Sequence, residues 1–258
     1  MMGKVYLIGA GPGDPELLTM KGLKCIKTAD FIYYDQLINS EMITYIHSNA
    51  KRGVCIPYDK DGMETGGIRM ELFRHTEDSK TVVYLTKGDP FLFSGCEETA
   101  YDLAEKGIVF EVVPGISEGL GAAAYIGVPV THREYACSFV FLSASKLDDH
   151  PDSLRSIAAS FNTLVIQMDR NWLSTVQDKL LQAGWAADTP VAYIQEATTA
   201  DQYCCRSLLN STQKIAGDEK VHFPGILLVG DVVTFNDKIN WFNPDNKQLP
   251  ASVAGSGL

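Results

Sequence analysis

The sequence predicts an α/β protein with two α/β domains, a mainly parallel sheet in the N-terminal domain and a mixed sheet in the C-terminal one. Along the first half, short runs of β-branched and aromatic residues alternate with helix-like segments, a pattern typical of parallel strands joined by helical crossovers. In the second half, strand-like runs at 191–196 and 202–209 are separated by a few polar residues. This spacing indicates an antiparallel hairpin, which makes the second sheet mixed.

The elements follow one another in a regular order. The first domain has strand-like segments at KVYLIGA, DFIYYD, GVCIPYD, TVVYLTKGD and FEVVPG, and helix-like segments at 14–27, 40–47, 63–79 and 96–106. The second has strand-like segments at SFVFLSAS, TLVIQMD, PVAYIQEAT, QYCCRSLL and GILLVGDVV, with an amphipathic helix at 172–183. We therefore expect an N-terminal domain at 1–134, a C-terminal domain at 135–244 and a flexible tail at 245–258.

Composition narrows the function classes. The chain has 258 residues and a net charge of −10, which argues against nucleic acid as the main partner, because binding to phosphates needs a basic surface. No apolar stretch approaches the roughly 18 residues of a membrane helix and no signal-peptide pattern opens the chain, so we expect a cytoplasmic protein without a membrane partner. The 6 cysteines are scattered without a CxxC pair, which favours reduced structural thiols over a zinc site or disulfides.

The first turn, GAGPGDPELL, has the appearance of a dinucleotide-binding loop but breaks its rule. Gly9 and Gly11 are present, but the third glycine of GxGxxG would fall at Asp14, whose carboxylate would face the phosphates. Pro12 also removes an N–H group that a pyrophosphate would use. The same residues suit a helix start, with Asp14 as the N-cap and Pro15 at the first helical position.

Several motifs, in order, carry a resemblance to a known family. They are GAGPGDPELLT, ADFIYYDQLIN, KGDPFLF, EVVPGIS, GVPVTHREYACS, VIQMD, DTPVAYIQEATT and KINWF. Together they resemble the tetrapyrrole methylases, from residue 5 to about 242. THREYA and KINWF resemble the members that act on uroporphyrinogen more than the later corrin methylases.

The resemblance implies two α/β domains with S-adenosylmethionine in the cleft between them, in a homodimer. The implied reaction is methylation of uroporphyrinogen III at two ring carbons, C2 and C7, to give precorrin-2 for sirohaem and cobalamin. Two other functions stay open. The chain could methylate another tetrapyrrole, a precorrin or cobalt-precorrin, or it could be a non-catalytic cofactor-binding homologue.

The resemblance also implies residues for cofactor binding. The matching positions are Pro12, Lys87, Gly88, Asp89, Leu92, Ser117, Glu118, Met168 and Ala197. Two of them depart from the family's pattern in charge, because Lys87 stands where the family has glycine and Glu118 where it has alanine. Two others are conservative replacements, Leu92 for isoleucine and Ser117 for threonine. Each position also has a plain structural explanation as a turn, a strand end or a core residue.

The implied catalytic residues are Asp35, a proton acceptor at the end of FIYYD, and Glu97, which matches a glutamate near the substrate. Two basic residues of the family are missing. The lysine of a Val-Gly-Lys motif has no counterpart in PYDKDG, where Tyr58 stands approximately in its place, and FSGCEE lacks an arginine.

The candidates for binding the substrate's carboxylates are therefore Arg133 and Lys60, with Arg69 the weaker one. The missing arginine matters, because a guanidinium can pair with a substrate carboxylate through two oriented hydrogen bonds. An ordinary solvated side chain is the alternative for each.

Overall fold

A computed structural model describes residues 3–35, 37–44, 51–55, 67–77, 80–147, 151–221 and 224–242. Its contacts divide the chain into two units, Met1–Gly121 and Ala122–Leu258. The division falls ahead of the expected boundary at 134/135, because Ala122 and Ala123 pack into the apolar core of the second unit. The domain limits drawn from the sequence stay a prediction, and the tail at 245–258 lies outside the described residues.

The first unit contains a five-stranded sheet in which every strand pair is parallel, as the sequence predicts. The strands are β1 (Lys4–Gly9), β2 (Phe31–Asp35), β3 (Lys51–Cys55), β4 (Thr81–Thr86) and β5 (Val109–Val113). They lie in the order β3-β2-β4-β1-β5. Since all the strands run the same way, their carboxyl ends meet at one edge of the sheet.

Helices cover both faces of this sheet. They are α1 (Met20–Thr28), α2 (Ser40–Ile43), α3 (Gly67–Glu77) and α4 (Cys96–Glu105). A further helix, α5 (Glu118–Tyr125), crosses the division between the units, and its Ala122 and Ala123 pack in the second unit. Ile26 of α1 and Met42 of α2 pack in one apolar cluster, whereas Leu72 of α3 and Leu103 of α4 pack in a second cluster on the opposite face. The strands alternate buried side chains between these clusters, as fully covered parallel strands do.

The two faces define where a ligand can enter. β2 and β4 are neighbours, yet the chain leaves β2 toward the face of α2 and leaves β4 toward the face of α4. In open α/β sheets, ligands bind at the carboxyl ends of strands whose connections diverge in this way. We call the carboxyl ends of these two strands, with the turns that follow them, the β2–β4 edge.

The helix predicted over 14–27 is interrupted. A short 3-10 turn covers Pro15–Leu17, with the Asp14 side chain accepting a hydrogen bond from the Glu16 N–H at 2.9 Å. The backbone is then extended at Leu18 and Thr19, and α1 begins at Met20. The Thr19 hydroxyl caps α1 by accepting from the Gly22 N–H at 3.1 Å, so two caps divide the predicted helix.

The second unit contains a mixed five-stranded sheet. Its strands are β6 (Phe139–Ser143), β7 (Thr163–Met168), β8 (Pro190–Gln195), β9 (Tyr203–Leu208) and β10 (Gly225–Val229), in the order β6-β7-β10-β8-β9. Its helices are α6 (Pro151–Ser160), α7 (Leu173–Ala183) and α8 (Gln213–Ala216). Strands β6 and β7 are parallel and the other pairs antiparallel. The predicted hairpin is confirmed, because β8 pairs with β9 in the register Val191↔Ser207.

The KINWF segment returns to helix α5 within this unit. The indole N–H of Trp241 donates to the carbonyl of Ala124 at 2.9 Å, and the Trp241 ring meets Tyr125 edge-on at 5.0 Å between centroids. These contacts fasten the end of the described chain to the second unit. Among the described helices, none is long and apolar enough to cross a membrane.

Glycine allows the ends of β1, β4 and β5 to approach one another closely. A Cβ atom added to Gly9 would lie 2.5 Å from the carbonyl oxygen of Gly88 and 2.7 Å from the N–H of Gly115. Both distances are shorter than real Cβ contacts, and both neighbours are backbone atoms that a rotamer change cannot move. The carboxyl edge therefore depends on a bare backbone at Gly9.

We predict that Gly9→Ala lowers the free energy of unfolding by about 2–3 kcal/mol through overpacking. The matched control is Gly217→Ala, whose φ of −83° suits alanine and whose added Cβ would have 3.7 Å contacts. Its free energy of unfolding should stay unchanged or rise by up to about 1 kcal/mol. Chemical unfolding followed by circular dichroism measures both, and equal losses in the two variants would contradict the close-approach argument.

Candidate active site

Asp35 is the carboxylate at the end of β2. Its Oδ1 atom accepts a hydrogen bond from the Leu37 N–H at 2.9 Å, which holds the half-buried side chain at the carboxyl edge. Burial raises the pKa of Asp35 above its ordinary value, while the Leu37 hydrogen bond and the positive charge of Lys87 lower it and the negative charge of Glu118 raises it. The raised pKa makes the Asp35 carboxylate a better proton acceptor, which is the property that a general base needs.

The turn after β4 is joined to the turn after β1. Gly11 and Gly88 exchange backbone hydrogen bonds, with the Gly11 N–H donating at 3.2 Å and the Gly88 N–H at 2.8 Å. The Asp89 carboxylate accepts from the N–H groups of Phe91 at 2.9 Å and Gly115 at 3.1 Å. The Asp89 side chain thus links the turns after β4 and β5, so its described contacts shape the edge itself.

The side chains of Lys87 and Glu118 form a buried ion pair. The distance from Lys87 Nζ to Glu118 Oε1 is 2.7 Å, and each side chain is only 12% exposed. Gly88 makes this approach feasible, because its left-handed φ of 68° brings the turn so close that an added Cβ would lie 3.3 Å from the Glu118 N–H nitrogen. The two departures from the family pattern are therefore each other's partners, a relation that the sequence analysis missed.

Ser117 and Glu118 open helix α5. The Ser117 hydroxyl accepts from the Leu120 N–H at 3.3 Å, and its carbonyl accepts from the Gly121 N–H at 3.0 Å. Glu118 occupies the first turn, where a negative charge interacts favourably with the helix dipole. Both predicted site residues thus have a structural role at a helix start, at the same edge as Asp35.

Glu97 lies in the first turn of α4, next to the buried Cys96. The Glu97 side chain is exposed, while burial raises the pKa of the Cys96 thiol to about 12. The charges of Glu97 and Asp35 raise it further, so both carboxylates act on one thiol. The structure brings the two predicted catalytic carboxylates to the same end of the sheet, and Cys96 stays a protonated thiol rather than a nucleophile.

The loop between β4 and α4 contains a strained aromatic residue. Leu92 is half-buried, and its N–H donates to the Asp89 carbonyl at 3.3 Å. The next residue, Phe93, has a φ of 57° with its side chain 45% exposed. A left-handed backbone at a non-glycine residue is costly and is concentrated at functional sites. Its motif, KGDPFLF, was recognised in the sequence, but its conformation carries no sequence signal.

In the second unit, two cofactor candidates lie at one end of the mixed sheet. Met168 ends β7 and pairs in register with Gly225 of β10, which on its other side pairs with Gln195 at the end of β8. Ala197 follows β8 directly and is 1% exposed. The register therefore places Met168 and Ala197 at the same edge, where both are buried and apolar.

The backbone around Ala197 is strained on both sides. Glu196 has a φ of 46° and Thr198 a φ of 70°. The Thr198 N–H donates to the side-chain oxygen of Gln202 at 2.8 Å, which fixes the turn between β8 and β9. Two left-handed non-glycine residues around a buried alanine indicate a backbone shaped for a purpose other than stability.

The predicted substrate-binding residues are not brought into a common cluster by the described chain. Arg133 lies in a turn closed by backbone pairing of His132 and Ala136, with its side chain 89% exposed and 3.9 Å from Glu134. Pro12 is buried in the first turn. Lys60 and Tyr58 lie outside the described residues, as does the side chain of Arg69.

The first unit has a parallel sheet with divergent connections and charged groups at its carboxyl edge, and a second, mixed α/β unit follows it. This combination is typical of two-unit α/β enzymes that bind small molecules. The chain belongs to the tetrapyrrole (corrin/porphyrin) methylases, whose family model matches residues 4–212. The predicted family and fold class are confirmed.

Relatives and a solved structure agree with this assignment. The chain is 42% identical over 240 residues to uroporphyrinogen-III C-methyltransferase of Priestia megaterium, covering 91% of this chain and 100% of that protein. It is 38% identical over 257 residues to the enzyme of the same name from Bacillus subtilis, covering 98% and 100%. The structure of uroporphyrin-III C-methyltransferase from Thermus thermophilus in complex with S-adenyl homocysteine is 28% identical, with a TM-score of 0.75 and coverage of 90% and 93%.

Proposed function

We propose that this chain is an S-adenosylmethionine-dependent methyltransferase that methylates uroporphyrinogen III at two ring carbons, C2 and C7, to give precorrin-2. The observation that carries the proposal is Asp35, a half-buried carboxylate with a raised pKa at the β2–β4 edge. Support comes from two relatives named uroporphyrinogen-III C-methyltransferase, which this chain matches over their whole length. Precorrin-2 would then serve sirohaem and cobalamin synthesis.

The charged groups at the carboxyl edge of the first sheet suit a cationic cofactor. Asp35 and Glu118 contribute two carboxylates against the single ammonium of Lys87, so the described groups carry excess negative charge when Asp35 is ionised. S-adenosylmethionine has a positively charged sulfonium, for which such an edge is electrostatically complementary. The residues proposed to bind it remain Pro12, Lys87, Gly88, Asp89, Leu92, Ser117, Glu118, Met168 and Ala197.

The methyl transfer itself requires few specific side chains. Bound S-adenosylmethionine supplies a methyl group that its sulfonium has already activated, and the porphyrinogen carbon is an electron-rich nucleophile. The backbone turns fixed by Gly11–Gly88 pairing and by Asp89 would hold the reactants in line and exclude water. As the new carbon–carbon bond forms, the methyl–sulfur bond would break and S-adenosylhomocysteine would be released. Asp35 would then accept the proton that leaves the methylated tetrapyrrole, and Glu97 is the second candidate for this step.

A second candidate function is methylation of another tetrapyrrole. It is favoured by one observation, the Lys87–Glu118 pair, which replaces two small residues of the family pattern at the edge. The side chain of Arg133 is exposed, so the structure does not hold its guanidinium in a fixed position for binding the substrate's carboxylates. A non-catalytic homologue is the weaker alternative, because the chain keeps the residues of the family pattern at Asp35, Gly88, Asp89 and Met168.

The decisive assay incubates the protein with enzymatically generated uroporphyrinogen III and labelled S-adenosylmethionine. We expect two methyl groups to be transferred per tetrapyrrole, and mass spectrometry of the product counts them. Transfer to a precorrin or cobalt-precorrin but not to uroporphyrinogen III would favour the second function. Cofactor binding by calorimetry without transfer to any of these would support the non-catalytic homologue.

The role of Asp35 is tested by Asp35→Asn. We expect kcat to fall by about 10²–10⁴-fold, the usual contribution of a general base, with cofactor affinity retained because the amide oxygen still accepts from the Leu37 N–H. Since the folded-state pKa is raised, the stability that Asp35 contributes is present at low pH and lost as pH rises through that pKa. The variant should therefore melt at an equal or higher temperature than the wild type at pH 8, with the difference shrinking toward pH 4.

The matched control is Asp188→Asn, which removes an exposed carboxylate in the second unit. It should change neither kcat nor the pH dependence of melting. Full turnover in Asp35→Asn at unchanged cofactor affinity would remove Asp35 from the mechanism, and Glu97→Gln would then be the next variant to assay.

We also propose a homodimer in the cytoplasm, as the family resemblance implies. The chain has a mass of 28.3 kDa, so light scattering of the purified protein should give about twice this value. A monomer mass across micromolar concentrations would contradict the dimer. Fractionation of the source cells tests the location, which would be wrong if the protein were recovered with the membranes.

A further inference from the structure

The buried Lys87–Glu118 ion pair contributes little to stability beyond the favourable position of Glu118 in the first turn of α5. Its atoms are 2.7 Å apart and both side chains are 12% exposed, so each charge has lost most of its contact with water. Desolvation of such a pair often offsets its mutual attraction, and apolar residues in its place are often as stable. A buried pair is therefore better explained by what its charges do to their surroundings.

The pair lies at the same edge as Asp35. Tyr34 of β2 lies beside Leu85 of β4, so that Asp35 and Lys87 follow at the carboxyl ends of neighbouring strands. Glu118 approaches from the start of α5, on the other side of Gly88. Among the described elements, Cys96 of α4 is the further titratable group that Asp35 affects, and Glu97 acts on the same thiol.

We propose that Lys87 and Glu118 are a charge-compensated pair at the reaction site, in which each residue cancels the effect of the other on Asp35 and so leaves Asp35 able to accept a proton. This inference rests on the proposed function, because it assigns Asp35 the proton-accepting role. It adds two residues whose side chains act through Asp35 rather than on the substrate.

The opposing signs explain why both residues are needed. Lys87 alone would stabilise the Asp35 carboxylate and make it a weak base, whereas Glu118 alone would oppose its ionisation. Held together, the ammonium and the carboxylate cancel most of each other's field at Asp35. A base is most effective when its pKa lies near the working pH, so balance serves catalysis better than either charge alone.

The experiment compares Lys87→Met, Glu118→Gln and the double variant with the wild-type protein. Lys87→Met leaves Glu118 unopposed, and the titration of Asp35 should move to higher pH. Glu118→Gln leaves Lys87 unopposed, and the titration should move to lower pH. The double variant should return toward the wild type, and Lys27→Met, an exposed lysine of α1, should leave it unchanged.

Two readouts separate the inference from the proposed function. The first is ¹³C NMR of the side-chain carboxyl carbons, with Asp35 assigned by the loss of its signal in Asp35→Asn; this readout needs no substrate. The second is the acidic limb of the kcat–pH profile, which should shift with the NMR titration. Melting curves establish that each variant is folded. If one buried charge alone prevents folding, the charge-exchanged variant Lys87→Glu/Glu118→Lys carries the test, because it keeps an ion pair. Its Asp35 titration should move to higher pH, since position 87 acts on Asp35 more strongly than position 118.

Shifts of one sign in both single variants, or an unmoved Asp35 titration, would overturn the inference even if methyl transfer is normal. Opposite shifts without any methyl transfer would instead uphold the electrostatic coupling and refute the proposed function. An ion pair that does not act on Asp35 would lower the melting temperature of both single variants and leave the Asp35 titration where it was.

Discussion

The close approach of three backbone turns at the carboxyl edge of the first sheet is the constraint on which the site depends. Gly9 admits the carbonyl of Gly88 and the N–H of Gly115 where any side chain would collide. The Gly11–Gly88 hydrogen bonds and the Asp89 carboxylate then hold these turns in place. Because backbone rather than side chains forms this surface, its shape is fixed by the sheet, and the positions of Lys87 and Glu118 follow from it.

The charged groups at this edge, where we propose the active site, reduce the stability of the fold. Burial of the Asp35 carboxyl group opposes its ionisation. The ion pair of Lys87 and Glu118 beside it adds little stability once the cost of desolvation is counted. The surrounding core compensates, since both faces of the sheet are covered by apolar clusters that do not include these residues. Active sites commonly retain such locally unfavourable groups because the reaction needs them.

Much of the fold could be predicted from the sequence, because hydrophobic periodicity and turn residues are local signals. The parallel first sheet and the β8–β9 hairpin are examples. The interruption at Leu18 was missed, since the Asp14 and Thr19 caps compete within a segment whose apolar spacing suits one helix. For the proposed site, the sequence predicts Asp35, Lys87 and Glu118 as single positions. The electrostatic relation among them could not be predicted, because it depends on which strands are neighbours.

The ion pair shows why departures from a family pattern are best interpreted together. Taken singly, lysine in place of glycine and glutamate in place of alanine each place a charge where the family has none, and each alone argues against the family's chemistry. The structure pairs them at 2.7 Å, so the second charge removes most of the objection raised by the first. What remains is a local dipole beside Asp35, and a dipole changes the ionisation of this proposed proton acceptor without taking over its role. The two substitutions are thus compatible with the family's reaction in a way that neither would be alone.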